Sequence, residues 1–357
     1  MRAYRARMSA DSFSEPVRWG VLGAANNAIK TAVPAMQNND RCRVVAIASR
    51  DLAKAKTAAD ALKIPRAYGS YQELIADPEI EAIYNPLPNH LHVPWTLRAA
   101  EAGKHVLCEK PIALTSHEAL ALVDAREKYG VQIAEAFMVR THPQWLAVKE
   151  IVKSGEIGEL RLITGHFSYF KRDPFDVRSI PEWGGGALMD IGCYPITMSR
   201  WLFDEEPIEV AGQLEFDPDM HIDRVGSALL RFPSGQATVT FAGQVALNQR
   251  LQIFGTKGHI TIEVPFNPPP NSETSIIVDD ARDLTGGGAR VVKFAAVNQY
   301  TIQAERFSDA VRGRGSVAVS LEDAIGNMRV IDAVFRAAKS HRWESVSAKD
   351  SVGENNV

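Results

Sequence analysis

Between residues 17 and 136 the chain repeats one pattern: a short apolar run, a stretch with helical periodicity, then another apolar run. The runs are Val17–Leu22, Val44–Ser49, Ile83–Pro86, His105–Glu109 and Gln132–Ala136. Strands apolar on both faces belong in a parallel sheet covered by helices on both sides. Parallel neighbours in turn demand right-handed crossovers. The best-marked crossover helix lies between the last two runs. There Thr115 and Glu118 form a capping-box pattern, Leu120 and Val123 give an apolar stripe, and Gly130 ends it. The pattern predicts a Rossmann-type, doubly wound α/β domain over residues 17–140 that takes up a ligand at the carboxyl ends of its strands.

The second half changes character. Arg161–Phe170, Val225–Phe232, Gln236–Phe241, Arg250–Phe254 and Gly258–Val264 are rich in β-branched and aromatic residues. Pro233-Ser234-Gly235 and Gly255-Thr256-Lys257-Gly258 read as hairpin turns. Pro265–Asn271 and Gly286–Gly288 are loops, and Ile325, Met328, Ile331 and Phe335 line one face of a late helix. Residues 141–345 are therefore expected to form an α+β domain on an open, mostly antiparallel sheet. Helices cover one face of it, and the other is a broad apolar surface for association into a homodimer or homotetramer. Residues 1–16 read as a flexible arm and 346–357 as a tail.

A chain of 357 residues, 45% hydrophobic, is long enough for two such cores. Its 40 basic and 43 acidic side chains nearly cancel, which argues against nucleic acid or a membrane surface as partner. No apolar run approaches the ~20 residues that span a bilayer. Cys42, Cys108 and Cys193 make neither a disulfide framework nor a zinc spacing, and Arg2, Arg5 and Arg7 lack the apolar segment of a secretory signal, so a cytoplasmic location is expected.

Four places could carry chemistry. Where the first strand turns into a helix, Gly23, Ala25 and Ala28 supply the three small residues of a dinucleotide fingerprint, with Asn26 and Asn27 between them. At the end of the second strand Ser49, Arg50 and Lys54 suit a 2′-phosphate, so NADP is favoured over NAD, with Asp51 read as a helix N-cap. Glu109-Lys110-Pro111 closes a strand at the ligand edge, and Pro111 invites an unusual peptide geometry before it. Finally, Trp183 precedes Gly184-Gly185-Gly186, after which Asp190 and Tyr194 stand at i, i+4 on one helix face. His90 and His92 lack companions at ligand spacing, so no metal site is read.

In this order the elements resemble the glucose–fructose oxidoreductase/inositol dehydrogenase (Gfo/Idh/MocA) family: a degenerate glycine turn, a Glu-Lys-Pro motif and a GGGxLxDxGxY loop. The resemblance runs from Val17 to Lys339. Pro86, Leu87, Pro88, Asn89 and His92 look like that family's loop beside the nicotinamide ribose. Arg140 is similar to part of its interdomain segment, and Tyr300 to part of its late cofactor-contacting stretch. The resemblance implies an NAD(P)-dependent oxidoreductase acting on a sugar or polyol. Its tyrosine at 194 places it with the branch of NADP-dependent xylose dehydrogenase and dihydrodiol dehydrogenase rather than with inositol dehydrogenases, which carry histidine there. Lys110, Asp190 and Tyr194 are then the catalytic candidates, with Arg178 and Trp183 shaping the sugar pocket and Glu109 beside the cofactor. A phenol titrates near pH ~10, so Tyr194 needs a neighbouring cation such as Lys110 to serve as base. The reverse assignment, with Lys110 carrying the proton, stays open. A ketosugar reductase, an NAD-dependent glycosidase and an NAD(P)-sensing regulator are the rival functions.

Overall fold

The structure, a computed structural model, describes residues 15–346. Most of the arm and nearly all of the tail expected from the sequence lie outside those residues. Contacts divide the chain into two compact units.

The first unit runs to Leu146 and regains the chain over 267–274 and 294–324. Its strands are β1 (Val17–Leu22), β2 (Cys42–Ala48), β3 (Arg66–Tyr68), β4 (Ala82–Asn85), β5 (His105–Glu109) and β6 (Ile133–Ala136). They form one parallel sheet in the order β3-β2-β1-β4-β5-β6. The order reverses between β1 and β4, and a doubly wound sheet opens its ligand crevice at such a switch point. β3 has no counterpart in the sequence reading, because its three half-buried residues carry no periodic apolar signal. The helix Ser116–Tyr129 begins and ends as expected. Thr115 Oγ1 accepts from the Glu118 amide at 3.1 Å, and Gly130 takes the left-handed conformation that stops the helix.

The helix Gln299–Val311 completes this unit's core. The Phe307 ring meets Trp19 at 5.3 Å, and Trp19 Nε1 donates to Ser308 Oγ at 3.3 Å. Beyond it Arg312 grips Glu81 through both carboxylate oxygens, at 2.9 and 3.0 Å.

The second unit is built on β7 (Leu160–Phe170), β8 (Glu209–Phe216), β9 (Asp223–Arg231), β10 (Gln236–Ala242), β11 (Gln244–Gly255), β12 (His259–Ile262), β13 (Thr274–Asp279), β14 (Ala289–Phe294) and β15 (Glu344–Ser345). They lie in the order β14-β13-β12-β11-β7-β10-β9-β8-β15. β7 and β10 run parallel, while β8–β9, β9–β10, β7–β11 and β11–β12 are antiparallel, so the sheet is mixed but mostly antiparallel. Both expected hairpins form, closed by Phe232 N–H to Gly235 O and Gly255 N–H to Gly258 O. Ile163, Phe167, Leu230, Val239, Phe241, Leu251 and Ile253 make the buried face. Helices Cys193–Phe203 and Leu321–Ser340 pack on it, Pro195 against Gly165 and Val334 against Gly212.

The opposite face corrects one expectation. It is not broadly apolar: Thr164, His166, Ser227, Thr238, Thr240 and Gln252 alternate outward, with Leu229 among them. His166 Nδ1 lies 2.7 Å from Thr240 Oγ1, so part of that polarity is satisfied within the sheet.

Candidate active site

In the first unit Gly23 makes the turn after β1 at φ +83°, its amide donating to Ala48 O at 2.8 Å. A Cβ there would come within 2.9 Å of Leu87 Cδ2, so the turn and the Pro86–Pro88 loop close on each other only because residue 23 is glycine. Asn26 opens a helix that runs to Gln37 through a wide turn over Ala28–Ala32, and Ala28 is fully buried against the sheet.

At the end of β2 the two neighbours Arg50 and Asp51 part company. Asp51 Oδ1 accepts from the amides of Ala53 and Lys54 at 2.9 and 3.3 Å and caps the helix Leu52–Leu62. Ser49 Oγ accepts from the Asp51 amide at 3.3 Å. The acid is thus engaged in the helix start. Arg50 hydrogen-bonds Tyr71, whose buried ring stands edge-on to Trp95 at 4.8 Å and whose hydroxyl is 3.7 Å from the place a Cβ on Gly23 would occupy. His90 faces the same guanidinium: burial, then Arg50, lowers its pKa. Tyr71 is absent from the sequence reading, and His90 entered it only as a histidine without metal companions. Only the return of the chain after β3 and β4 brings them to Arg50, and no local motif announces that.

At the ends of β4 and β5, Tyr84 donates to Glu109 Oε1 at 2.6 Å. The Tyr300 hydroxyl bonds Asn27 and faces Glu109 and Lys110; burial, then Glu109, pushes its pKa up to about 12. The structure therefore gathers Asn27, Glu109, Lys110 and Tyr300, which lie far apart in sequence. The Lys110–Pro111 peptide is cis.

Two candidates take a different place from the one expected. His92 is fully buried beneath the loops, its ring nitrogens 2.7 Å from Pro111 O and from Leu87 O, so it ties the two loops together from below instead of facing a ligand. Arg140 is paired with Asp323 at the start of the helix Leu321–Ser340, an attachment that no local motif signals.

In the second unit the glycine run feeds a continuous helix, wide over Leu188–Gly192 and regular over Cys193–Phe203. Asp190 Oδ2 accepts from Tyr169 Oη at 2.6 Å and from Arg178 Nε at 2.9 Å. Tyr194 is buried, its ring 5.6 Å from Phe167 and 5.4 Å from Phe266. Trp183 ends a short turn, Pro181–Trp183, just ahead of the glycines. Tyr169 is a missed member of this group: within β7 it reads as an ordinary strand aromatic.

A switch-point crevice with a glycine turn, a hydroxyl and an exposed guanidinium at the end of β2, and a lysine beyond β5 fit a nicotinamide dinucleotide. With the mixed-sheet unit that follows, they define an NAD(P)-dependent oxidoreductase. Residues 17–137 match the model of the oxidoreductase family with an NAD-binding Rossmann fold, and residues 145–261 that of the GFO/IDH/MocA C-terminal domain. An uncharacterized oxidoreductase, ORF334, of Rhizobium meliloti is 47% identical over 331 residues, 92% of this chain and 99% of its own. D-xylose 1-dehydrogenase (NADP(+)) 2 of Haloferax volcanii is 36% identical over 324 residues, 90% of this chain and 97% of its own. The structure of KijD10, a 3-ketoreductase from Actinomadura kijaniata in complex with NADP and TDP-benzene, superimposes with a TM-score of 0.84 at 29% identity, over 90% of this chain and 98% of that one. The chain belongs to the Gfo/Idh/MocA family of oxidoreductases.

Proposed function

We propose that this protein is an NADP-dependent dehydrogenase that oxidises a sugar hydroxyl, of the aldose 1-dehydrogenase type. The observation that carries the cofactor choice is the division of labour between Arg50 and Asp51. The carboxylate that would hold a ribose 2′-hydroxyl is spent on capping a helix, which leaves Ser49, Arg50 and Lys54 to a 2′-phosphate. The similarity to a D-xylose 1-dehydrogenase that uses NADP supports both cofactor and substrate class. Gly23, Ala25, Asn26 and Asn27 would hold the pyrophosphate, and Leu87, Asn89, Glu109 and Tyr300 the nicotinamide end.

When bound, NADP supplies the hydride acceptor. The chain's own residues have to move a proton off the substrate oxygen as the carbon is oxidised. In this reading Tyr194 Oη takes that proton and Lys110 Nζ hydrogen-bonds the same oxygen, its charge favouring the phenolate. Asp190 fixes Arg178 and Tyr169 around the sugar. The exchanged assignment, Lys110 as proton carrier and Tyr194 as orienting group, uses the same atoms.

The similarity to a 3-ketoreductase favours a second reading, reduction of a ketosugar by the same groups in reverse. A nicotinamide absorbance screen tests both, with NADP and NAD against aldoses, polyols and diols, and with NADPH against ketosugars. Turnover of an aldose with NADP over NAD supports the first reading. Turnover confined to ketosugars moves the assignment to the second, and a clear NAD preference removes the reading of Arg50. We also infer that a second copy covers the outer face of the nine-stranded sheet, through hydroxyl and amide contacts more than apolar ones. Sedimentation of a monomer at micromolar concentration would reject that.

A further inference from the structure

The helix that carries Asp190 and Tyr194 starts without a cap of its own. Gly184, Gly185, Gly186 and Ala187 offer no side-chain acceptor, and the first amides of a helix need one. The acceptor comes from 35 residues further along the chain: Asp223, the first residue of β9, receives the Leu188 amide on Oδ2 at 2.6 Å and also bonds the Ala187 amide. Its carboxylate is 2% exposed. Gly186 admits it: the backbone there stands at φ +115°, and a Cβ would lie 1.9 Å from Asp223 Oδ1. Gly186 is the imprint of this carboxylate, whereas a Cβ on Gly185 would meet the carbonyl oxygens of Arg178 and Ile180.

The far end of the helix is held in the complementary way. Buried Lys149 donates from Nζ to Trp201 O, among the last carbonyls before Phe203, and lies 3.6 Å from Asp204. Negative charge at the amino end and positive charge at the carboxyl end both match the helix dipole. The helix is therefore fixed at each end by a charged side chain from outside it, with Asp190 and Tyr194 in the turns nearest Asp223.

We propose that Asp223 is a positioning residue for the reaction, setting the place of Tyr194 through the first amides of its helix. The proposal rests on the reading that Tyr194 acts on the substrate. Burial, then the neighbouring charge of Asp190, pushes the Asp223 carboxyl up to about 7, although its amide bonds pull the other way. Tyr169 on β7, Lys171 just beyond it, Arg178 in the loop before the glycines and Arg224 on β9 line the same small depression. Protonating Asp223 removes the charge that the helix dipole favours, so turnover should fall as the pH drops through neutrality.

The test compares Asp223→Asn, Asp223→Ala and Tyr194→Phe in the full chain, for kcat, KM, NADP affinity and hydrogen exchange at residues 188–194. The expected result for Asp223→Ala is a fall of about 100-fold in kcat, the scale of a ~1 Å misplacement, with NADP affinity and KM nearly unchanged. Asp223→Asn, which keeps one oxygen acceptor and the shape, should fold, lose about 10-fold in kcat, exchange faster at residues 188–194, and lack the fall in kcat near pH 7. Wild-type kcat, pH profile and exchange in Asp223→Asn overturn the proposal even if Asp223→Ala fails to fold. Wild-type turnover in Tyr194→Phe, with faster exchange in Asp223→Asn, overturns the reading of Tyr194 and leaves the clamp standing as structure alone.

Discussion

Arg50 is an exposed side chain, and an exposed arginine has many conformers to lose when it grips a phosphate. Its hydrogen bond to Tyr71, itself buried and set edge-on to Trp95, removes much of that freedom beforehand. Arg50→Ala should therefore raise the Kd for NADP by about 10- to 100-fold, the worth of a charge-assisted bond, and barely change that for NAD. Tyr71→Phe should cost NADP a few-fold by the same comparison. A fluorescence titration with both nucleotides measures each, and equal losses for NAD and NADP would remove Arg50 from phosphate recognition. Tyr194→Phe and Lys110→Met should each lower turnover by two or more orders of magnitude while NADP binds as before; near-normal rates in both variants would reject the pair. The sequence exposed these residues because each sits in a local pattern: a strand end, a Glu-Lys-Pro close, a glycine run. Tyr71, Tyr169 and Asp223 were illegible for the opposite reason. Each lies in a strand or helix of ordinary composition and joins its group only through long-range contacts.

Elements were legible where one signal set both ends. Helix Ser116–Tyr129 has its capping residues on either side, and the two tight hairpins have their glycines. β3, β8 and β14 escaped notice, as they are short or lie half-exposed toward the margins of their sheets, and β13 was missed although Ile276, Ile277 and Val278 form an apolar run. The helix Gln299–Val311 was invisible in a different sense: its amphipathic face belongs to a core begun almost 300 residues earlier, at Trp19. A helix placed so is part of the nucleotide unit and not an appendage of it. Phe307→Ala should thus cost about 3–5 kcal/mol, the usual penalty for emptying a buried aromatic site, and should weaken NADP binding along with thermal stability. A thermal shift of less than a few degrees would show that this core closes without it.

At the scale of the whole molecule the buried titratable groups give the two units opposite responses to pH. His92, His105 and His142, all in the first unit, have pKa values lowered by burial to about 4. The geometry agrees for two of them: His105 Nδ1 accepts from the Gln132 amide at 2.8 Å and His142 Nδ1 from the Gln144 amide at 3.2 Å, so protonation would break both bonds. His92 is the exception in kind. Both of its nitrogens face carbonyl oxygens, which would suit the imidazolium, yet burial outweighs them. Unfolded histidines bind a proton near pH ~6.5, so the unfolded first unit takes up protons before the folded one does. The stability these groups contribute is complete above that value and is lost as the pH falls from about 6.5 toward 4, on the order of 3 kcal/mol for fully buried His92. Asp223 in the second unit works in reverse. Its folded pKa of about 7 lies above the ordinary carboxylate value, so the folded unit holds the proton longer and its stability falls as the pH rises toward neutrality. Lowering the pH from 7.5 to 5 should then lower the protection of the amides in β1, β4 and β5, relative to their intrinsic exchange rates, while β9 holds or gains protection. Hydrogen exchange read by mass spectrometry distinguishes the units directly, and a first loss of protection in β9 would mean that the histidines do not govern acid lability. His105→Gln supplies the control, because the amide oxygen can still accept from Gln132 without a titrating nitrogen, and that variant should retain more of its β5 protection at pH 5 than the wild type does.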